Sequence, residues 1–133
     1  MDNIEIDMEK TEKFYKDYYD SCNCLYCKFY RENIRKYYPK LSSFLSDFAL
    51  DISKPYELSI PFLEDDLNYP FAQYLVIGKA PDKFSKKLGN ISLSIAKSYQ
   101  DSDISSPYFV LELGDIKFKK SITSKEILSE LSL

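Results

Sequence analysis

The sequence contains no histidine and no tryptophan, and only three glycines among its 133 residues. Without histidine, Ser-His-Asp and Cys-His catalysis and histidine-ligated metal sites are excluded outright. With Gly78, Gly89 and Gly114 so far apart, neither the dinucleotide fingerprint nor the phosphate-binding P-loop can be formed. No stretch approaches the roughly eighteen consecutive apolar residues of a membrane span, so no membrane association is expected. Met1 to Lys10 is acidic and lacks the basic-then-apolar order of a secretion signal, which points to a cytoplasmic protein. A basic surplus is missing too: 18 Lys and Arg face 21 Asp and Glu, a net charge of −3. Nucleic-acid binders draw affinity from phosphate neutralisation, so no nucleic-acid partner is expected. The densest basic stretch, Lys28 to Lys40, reads as the wet face of a helix.

What the chain does have is aromatic side chains, twelve Tyr and nine Phe. Tyrosine joins an apolar ring to a hydroxyl and suits a core edge, a groove or an interface. Residues 1–8 read as frayed. Phe14, Tyr15, Tyr18 and Tyr19 form one stripe of a helix over Glu9 to Tyr19. Cys27, Tyr30, Ile34 and Tyr37 predict a second helix over 22–38, with Asp20, Ser21 or Asn23 as its cap. Pro39 ends it and opens a third over 40–50, striped by Leu41, Phe44, Leu45 and Phe48.

Beyond Pro55 the period changes to two. Strands are expected at 56–62 (limited to an edge by Pro61), at 71–77, at 91–95 and at 109–118, with a bulge at Gly114. Glu64-Asp65-Asp66 lies in an expected mobile loop, 63–70; a second is 99–106. Thr123 and Glu126 match a capping box before a short final helix, 123–132. The connections are too short for crossover helices. The expected fold is therefore α+β in a single domain over 1–133: N-terminal helices on one face of a roughly four-stranded antiparallel sheet, with a short C-terminal helix.

The three cysteines all fall within six residues, as Cys22, Cys24 and Cys27. Three readings stand. As metal ligands, Cys24-x-x-Cys27 is a proper pair for zinc and Cys22 a third ligand; the fourth would be Asp20, Glu32, water or another chain's thiolate. As a redox pair, Cys24 at a helix head would be the nucleophile and Cys27 the resolving thiol. As packing residues, Cys24 and Cys27 would be small buried hydrophobes beside Tyr30 and Ile34, with Cys22 partly exposed. The packing reading, which needs no cofactor, is taken first, and a non-enzymatic protein follows from it. An odd thiol count suits a reducing compartment better than a disulfide scaffold.

The run Cys22-Asn23-Cys24-Leu25-Tyr26-Cys27-Lys28-Phe29-Tyr30, with Tyr38-Pro39, Phe44-Leu45 and Leu50-Asp51-Ile52-Ser53-Lys54-Pro55-Tyr56-Glu57-Leu58, resembles a family of small uncharacterised cytosolic proteins of low-GC Gram-positive bacteria. Their pattern is C-x-C-x-Y-C-x-N-F, a helix, then G-I-D-x-x-K-P-x-E. The likeness covers roughly residues 20–60. Here Ala49 stands at the family's glycine and Lys28-Phe29 at its Asn-Phe pair. The resemblance implies a bacterial lineage and no activity. Lys54-Pro55-Tyr56-Glu57 reads as a rigid helix-to-strand turn, with Asp51 capping or turning the chain. The functional expectation is a protein-interaction or regulatory domain, a monomer or simple homodimer, meeting an unknown protein partner through Tyr15, Tyr18, Tyr19 and Tyr26. The alternative is a zinc-binding or thiol-redox protein built on Cys22, Cys24 and Cys27.

Overall fold

The computed structural model describes residues 3–18 and 22–132. Among these residues, four α-helices and an antiparallel sheet make up the fold, which is α+β as expected. The helices are α1 (Met8–Asp17), α2 (Leu25–Tyr37), α3 (Pro39–Ser46) and α4 (Lys125–Leu131). The strands are β1 (Glu5–Ile6), β2 (Glu57–Leu58), β3 (Phe62–Leu63), β4 (Asp66–Lys79), β5 (Ser85–Leu88), β6 (Ile91–Ile95) and β7 (Tyr108–Lys119). They run in the order β1-β4-β7-β6-β5, and β2 and β3 also pair with β4.

Strand β4 is the spine. One edge pairs with β7 along nearly its whole length. The other edge is shared by β3, β2 and β1, each two residues long. Between β2 and β1 that edge is covered by side chains of α1. The buried Thr11 hydroxyl accepts from the Ile77 amide at 3.1 Å and donates to the Ile77 carbonyl at 3.3 Å. The Tyr15 hydroxyl donates to the Leu75 carbonyl at 2.6 Å. Backbone groups on a strand edge are costly when buried unpaired, and a helix here supplies the missing partners. Tyr38 does the same for β7, its hydroxyl bonded to both the amide and the carbonyl of Lys117. These phenols carry out the core-edge role expected of tyrosine.

The two long strands exchange faces together. Positions in the core step 67, 69, then 72, 74, 76 on β4, and 118, 116, then 113, 111, 109 on β7. A regular strand keeps one parity throughout. The switch falls where Pro70 stands opposite Asp115, whose φ is 60°. Because both strands shift at once, the register is unbroken. Gly114 pairs with Phe71 and with Ser92, so it is not the bulge that the sequence suggested; the distortion sits one residue on.

One apolar cluster collects Tyr15, Phe29, Tyr30, Ile34, Leu41, Leu45 and Ile127 from all four helices against this sheet. Phe118 lies at its centre, with the rings of Phe29, Tyr30, Tyr38 and Tyr69 edge-on to it at 5.3–6.3 Å. Such edge-to-face pairs are favourable beyond the area they bury. Leu75, Ile77, Ala96 and Val110 are buried outside that cluster, on the sheet's other side.

Several expected boundaries change. Glu5–Ile6 is a strand rather than a frayed end; Gly78 (φ 148°) opposes Ile6 in its pairing. Pro61 splits the strand expected at 56–62 into two, and on either side of it the alternation fails, leaving Ile60 78% and Phe62 43% exposed. The acidic loop shrinks to Glu64–Asp65, closed by the Glu64 amide on the Asp66 carbonyl. Within 80–89, whose polar residues read as a turn region, Ser85–Leu88 forms the edge strand β5. Ser124, not Thr123, caps α4, accepting from the Ile127 amide; Thr123 donates to the Lys119 carbonyl instead.

Candidate functional site

The cysteines gather at the N-terminus of α2. Cys24 itself is the N-cap: its backbone is extended and its Sγ accepts from the Cys27 amide at 3.4 Å. The caps expected at Asp20 and Ser21 lie outside the described residues, and Asn23 does not serve. Cys27 follows within the first turn, and Cys22 comes from the segment just before the helix. The three Sγ atoms all lie within 4.8 Å of one another. Among the described residues no other group of three Cys, Asp or Glu side chains converges in this way, Glu64-Asp65-Asp66 and Asp101/Asp103 included.

The turn is held rigidly by its middle residue. The Tyr26 carbonyl accepts from the Tyr69 hydroxyl at 2.7 Å, which fixes it to β4. The Tyr26 hydroxyl donates to Glu130 Oε2 at 2.7 Å, which fixes it to α4. Burial pushes the Cys27 thiol well above its ordinary range, and hydrogen bonds with the Cys22 and Cys24 sulfurs push it further. Burial likewise raises the Tyr69 phenol, with Cys27 its next contributor.

This geometry overturns the packing reading for Cys24, which is exposed; Cys27 is only half-buried, and Cys22 is partly exposed as that reading had it. The helical stripe of Tyr30 and Ile34 is buried as expected, but it does not extend back to Cys24, because the helix begins only at Leu25 and a cap residue points off its end. Among the described residues no disulfide links the three.

The donor set fits a soft metal ion. Tetrahedral zinc thiolates hold sulfurs about 3.8 Å apart, at zinc–sulfur distances of about 2.3 Å. The three sulfurs, within 4.8 Å of one another, lie close to that separation. A metal would have to displace the proton that burial keeps on Cys27. Glu32, considered as a fourth ligand, is exposed and outside the group; Asp20 lies outside the described residues.

The four tyrosines expected to form a partner surface are not brought together. Tyr15 is 4% exposed and spends its hydroxyl on β4. Tyr18, half-buried, stacks on Phe14 at 5.2 Å. Tyr26 is tied to α4, and Tyr19 lies outside the described residues. What the sequence reading missed is that Lys10, Lys13, Phe14, Asp17 and Tyr18 form a second stripe on α1, at i, i+3, i+4, i+7 and i+8, and that this stripe lines a surface cleft.

No protein-family model matches the chain, and neither a curated protein nor a solved structure matches it. Among the described residues no helix is long and apolar enough to cross a membrane.

Proposed function

We propose that the chain binds a thiophilic metal ion, zinc foremost, through Cys22, Cys24 and Cys27. The observation that carries this reading is the convergence of three sulfurs on a turn braced by Tyr69 and Glu130. Soft thiolates select such ions over magnesium or calcium. Three thiolates would leave a zinc centre with a net charge of −1, a weak Lewis acid ill-suited to activating water. The function is accordingly regulatory, with metal occupancy as its input, and the protein is a monomer or simple dimer of a reducing bacterial cytosol. The fourth position is left to water or to a ligand from a partner protein. Elemental analysis of native protein purified without added metal tests this. Near-stoichiometric zinc, lost on replacing all three cysteines by serine, is expected; native protein that is metal-free and stays so after zinc addition and desalting overturns it.

A further inference from the structure

Exposure separates the three sulfurs. Only Cys24 is exposed; Cys22 and Cys27 are half-buried. An oxidant arriving from solution therefore meets Cys24 first, since access governs which thiol is oxidised. The helix end then supplies Cys24 with a partner. Cys24 is the N-cap of α2, and a capping side chain lies over the amide of the third residue of the first turn. That residue is Cys27, whose amide donates to Cys24 Sγ at 3.4 Å and whose own sulfur lies within 4.8 Å of it.

Cys22 is the poorer partner for Cys24. It stands two residues back, on the non-helical segment before α2. Residues two apart on an extended chain are separated by about 6.5 Å at Cα, near the upper limit for a disulfide. Cys22 also approaches Cys27, but neither of those sulfurs is the one an oxidant meets first. Tyr26, between Cys24 and Cys27, is pinned by Tyr69 and Glu130, so the turn that carries this pair keeps it together. Joined sulfurs are no longer thiolates, and thiolate is the form that ligates metal. A Cys24–Cys27 bond would leave Cys22 as the one thiol of the trio, too few ligands to hold zinc.

We propose that a hydroperoxide oxidises Cys24 and that Cys27 resolves it, closing a Cys24–Cys27 disulfide that releases the metal. The Cys24 sulfur attacks one peroxide oxygen and the O–O bond breaks. Cys24 becomes a sulfenic acid, and water (or an alcohol, from an organic peroxide) leaves. The Cys27 sulfur then attacks the Cys24 sulfur; the S–O bond breaks, and the hydroxide departs with the Cys27 proton as water. Each sulfur loses one electron, and the two peroxide oxygens gain them. Where the thiolates hold metal, solvent supplies the protons. A dithiol reductant reverses the closure. The release step rests on the metal-binding reading; the closure needs only the thiols.

The test treats reduced, metal-free, full-length protein with hydrogen peroxide, quenches it with acid, alkylates the remaining thiols and maps them by mass spectrometry. A loss of about 2 Da (two hydrogens) is expected, with the bond between Cys24 and Cys27 and the alkyl group on Cys22. Cys27→Ser should slow bond formation at least about tenfold and let dimedone trap a sulfenic acid on Cys24. Unreacted thiols, a bond that leaves Cys24 or Cys27 alkylated, a bond between two chains, sulfinic acid without a bond, or equally fast closure in Cys27→Ser would each overturn the closure. Zinc-loaded protein should pass its zinc to a chromophoric chelator in step with the bond and take zinc up again after dithiothreitol. Zinc retained once the bond has formed overturns the release. Protein that takes up no zinc overturns the metal-binding reading and the release with it, while the mapping decides the closure by itself.

Discussion

The Tyr30 and Tyr74 hydroxyls meet at 2.6 Å inside the core, and Tyr74 also donates to the Ile52 carbonyl at 2.6 Å. A phenol has one proton to give. Tyr74 commits its proton to Ile52, so Tyr30 is the donor between the pair. The two positions are therefore unequal. Tyr74→Phe strands both a buried hydroxyl and a buried carbonyl and should cost about 2–4 kcal/mol; Tyr30→Phe removes only a donor and should cost about 1 kcal/mol. Urea unfolding of both variants measures the order, and a larger loss at Tyr30 contradicts it.

The same burial has a pH consequence. The Tyr15, Tyr30, Tyr69 and Tyr74 phenols are held above their ordinary value, chiefly by desolvation. Their contribution to stability is complete below about pH 10, where the unfolded phenols are still protonated. It is lost above that, as the unfolded state ionises first. Tyrosinate absorbance should appear in two stages, with the second coinciding with loss of the near-ultraviolet dichroism of the fold. A single smooth titration of all twelve tyrosines with the fold intact would refute this.

The Thr11 hydroxyl pairs with the Ile77 amide on the β4 edge and shares the Ile77 carbonyl with the Asp7 amide, which donates to it at 2.9 Å. Thr11→Val keeps the side-chain shape but leaves the Ile77 amide unpaired, an expected loss of about 1–3 kcal/mol. Hydrogen exchange should accelerate at Ile77 before it does so at the β4–β7 ladder. Unchanged protection at Ile77 would mean that the hydroxyl is dispensable.

Ala49 closes α3 with φ 63°, a left-handed backbone, and the Leu50 amide reaches back to the Leu45 carbonyl. This is the helix-ending geometry that glycine adopts most easily. Ala49→Gly should stabilise the protein by about 0.5–1 kcal/mol, a rare gain from removing a methyl group. Thermal unfolding reads it directly.

Asp51 follows two residues later. Burial disfavours its charge, but the Ser53 hydroxyl and amide, with Arg35 and Lys54, outweigh this and hold the carboxyl below its ordinary value. Its contribution is thus present above about pH 3.9 and is lost as pH falls through the folded value. At neutral pH Asp51→Ala should cost about 1–2 kcal/mol, because the turn bonds to Ser53 go with it. Arg35→Ala should cost under about 1 kcal/mol, since Arg35 is a mostly exposed partner. In strong acid the Asp51→Ala difference should vanish.

Elements with a clear period were legible in advance. The stripe Tyr30–Ile34 predicted α2, and the alternation of Ile91, Leu93 and Ile95 predicted β6. What escaped was made by tertiary context. Glu5–Ile6 is too short to show a period and becomes a strand only by meeting the end of β4. Ser85–Leu88 is polar because edge strands tolerate lysine. Tyr15 looked like a surface residue because a phenol suits both locations, and only the uncovered β4 edge decides between them. The cysteine trio was visible as a motif, yet its burial was misjudged because the helix expected from residue 22 begins only at Leu25. Thiols are weak acceptors, so Cys24 did not read as a cap.

The coupled face exchange at Pro70 and Asp115 limits how this protein can change its length. Deleting one residue from the middle of either long strand would turn half of that strand inside out relative to its neighbour. Only a compensating deletion directly across the ladder would restore the match. Insertions and losses along β4 and β7 are therefore tolerable in opposed pairs, whereas the loops at their ends can vary one residue at a time.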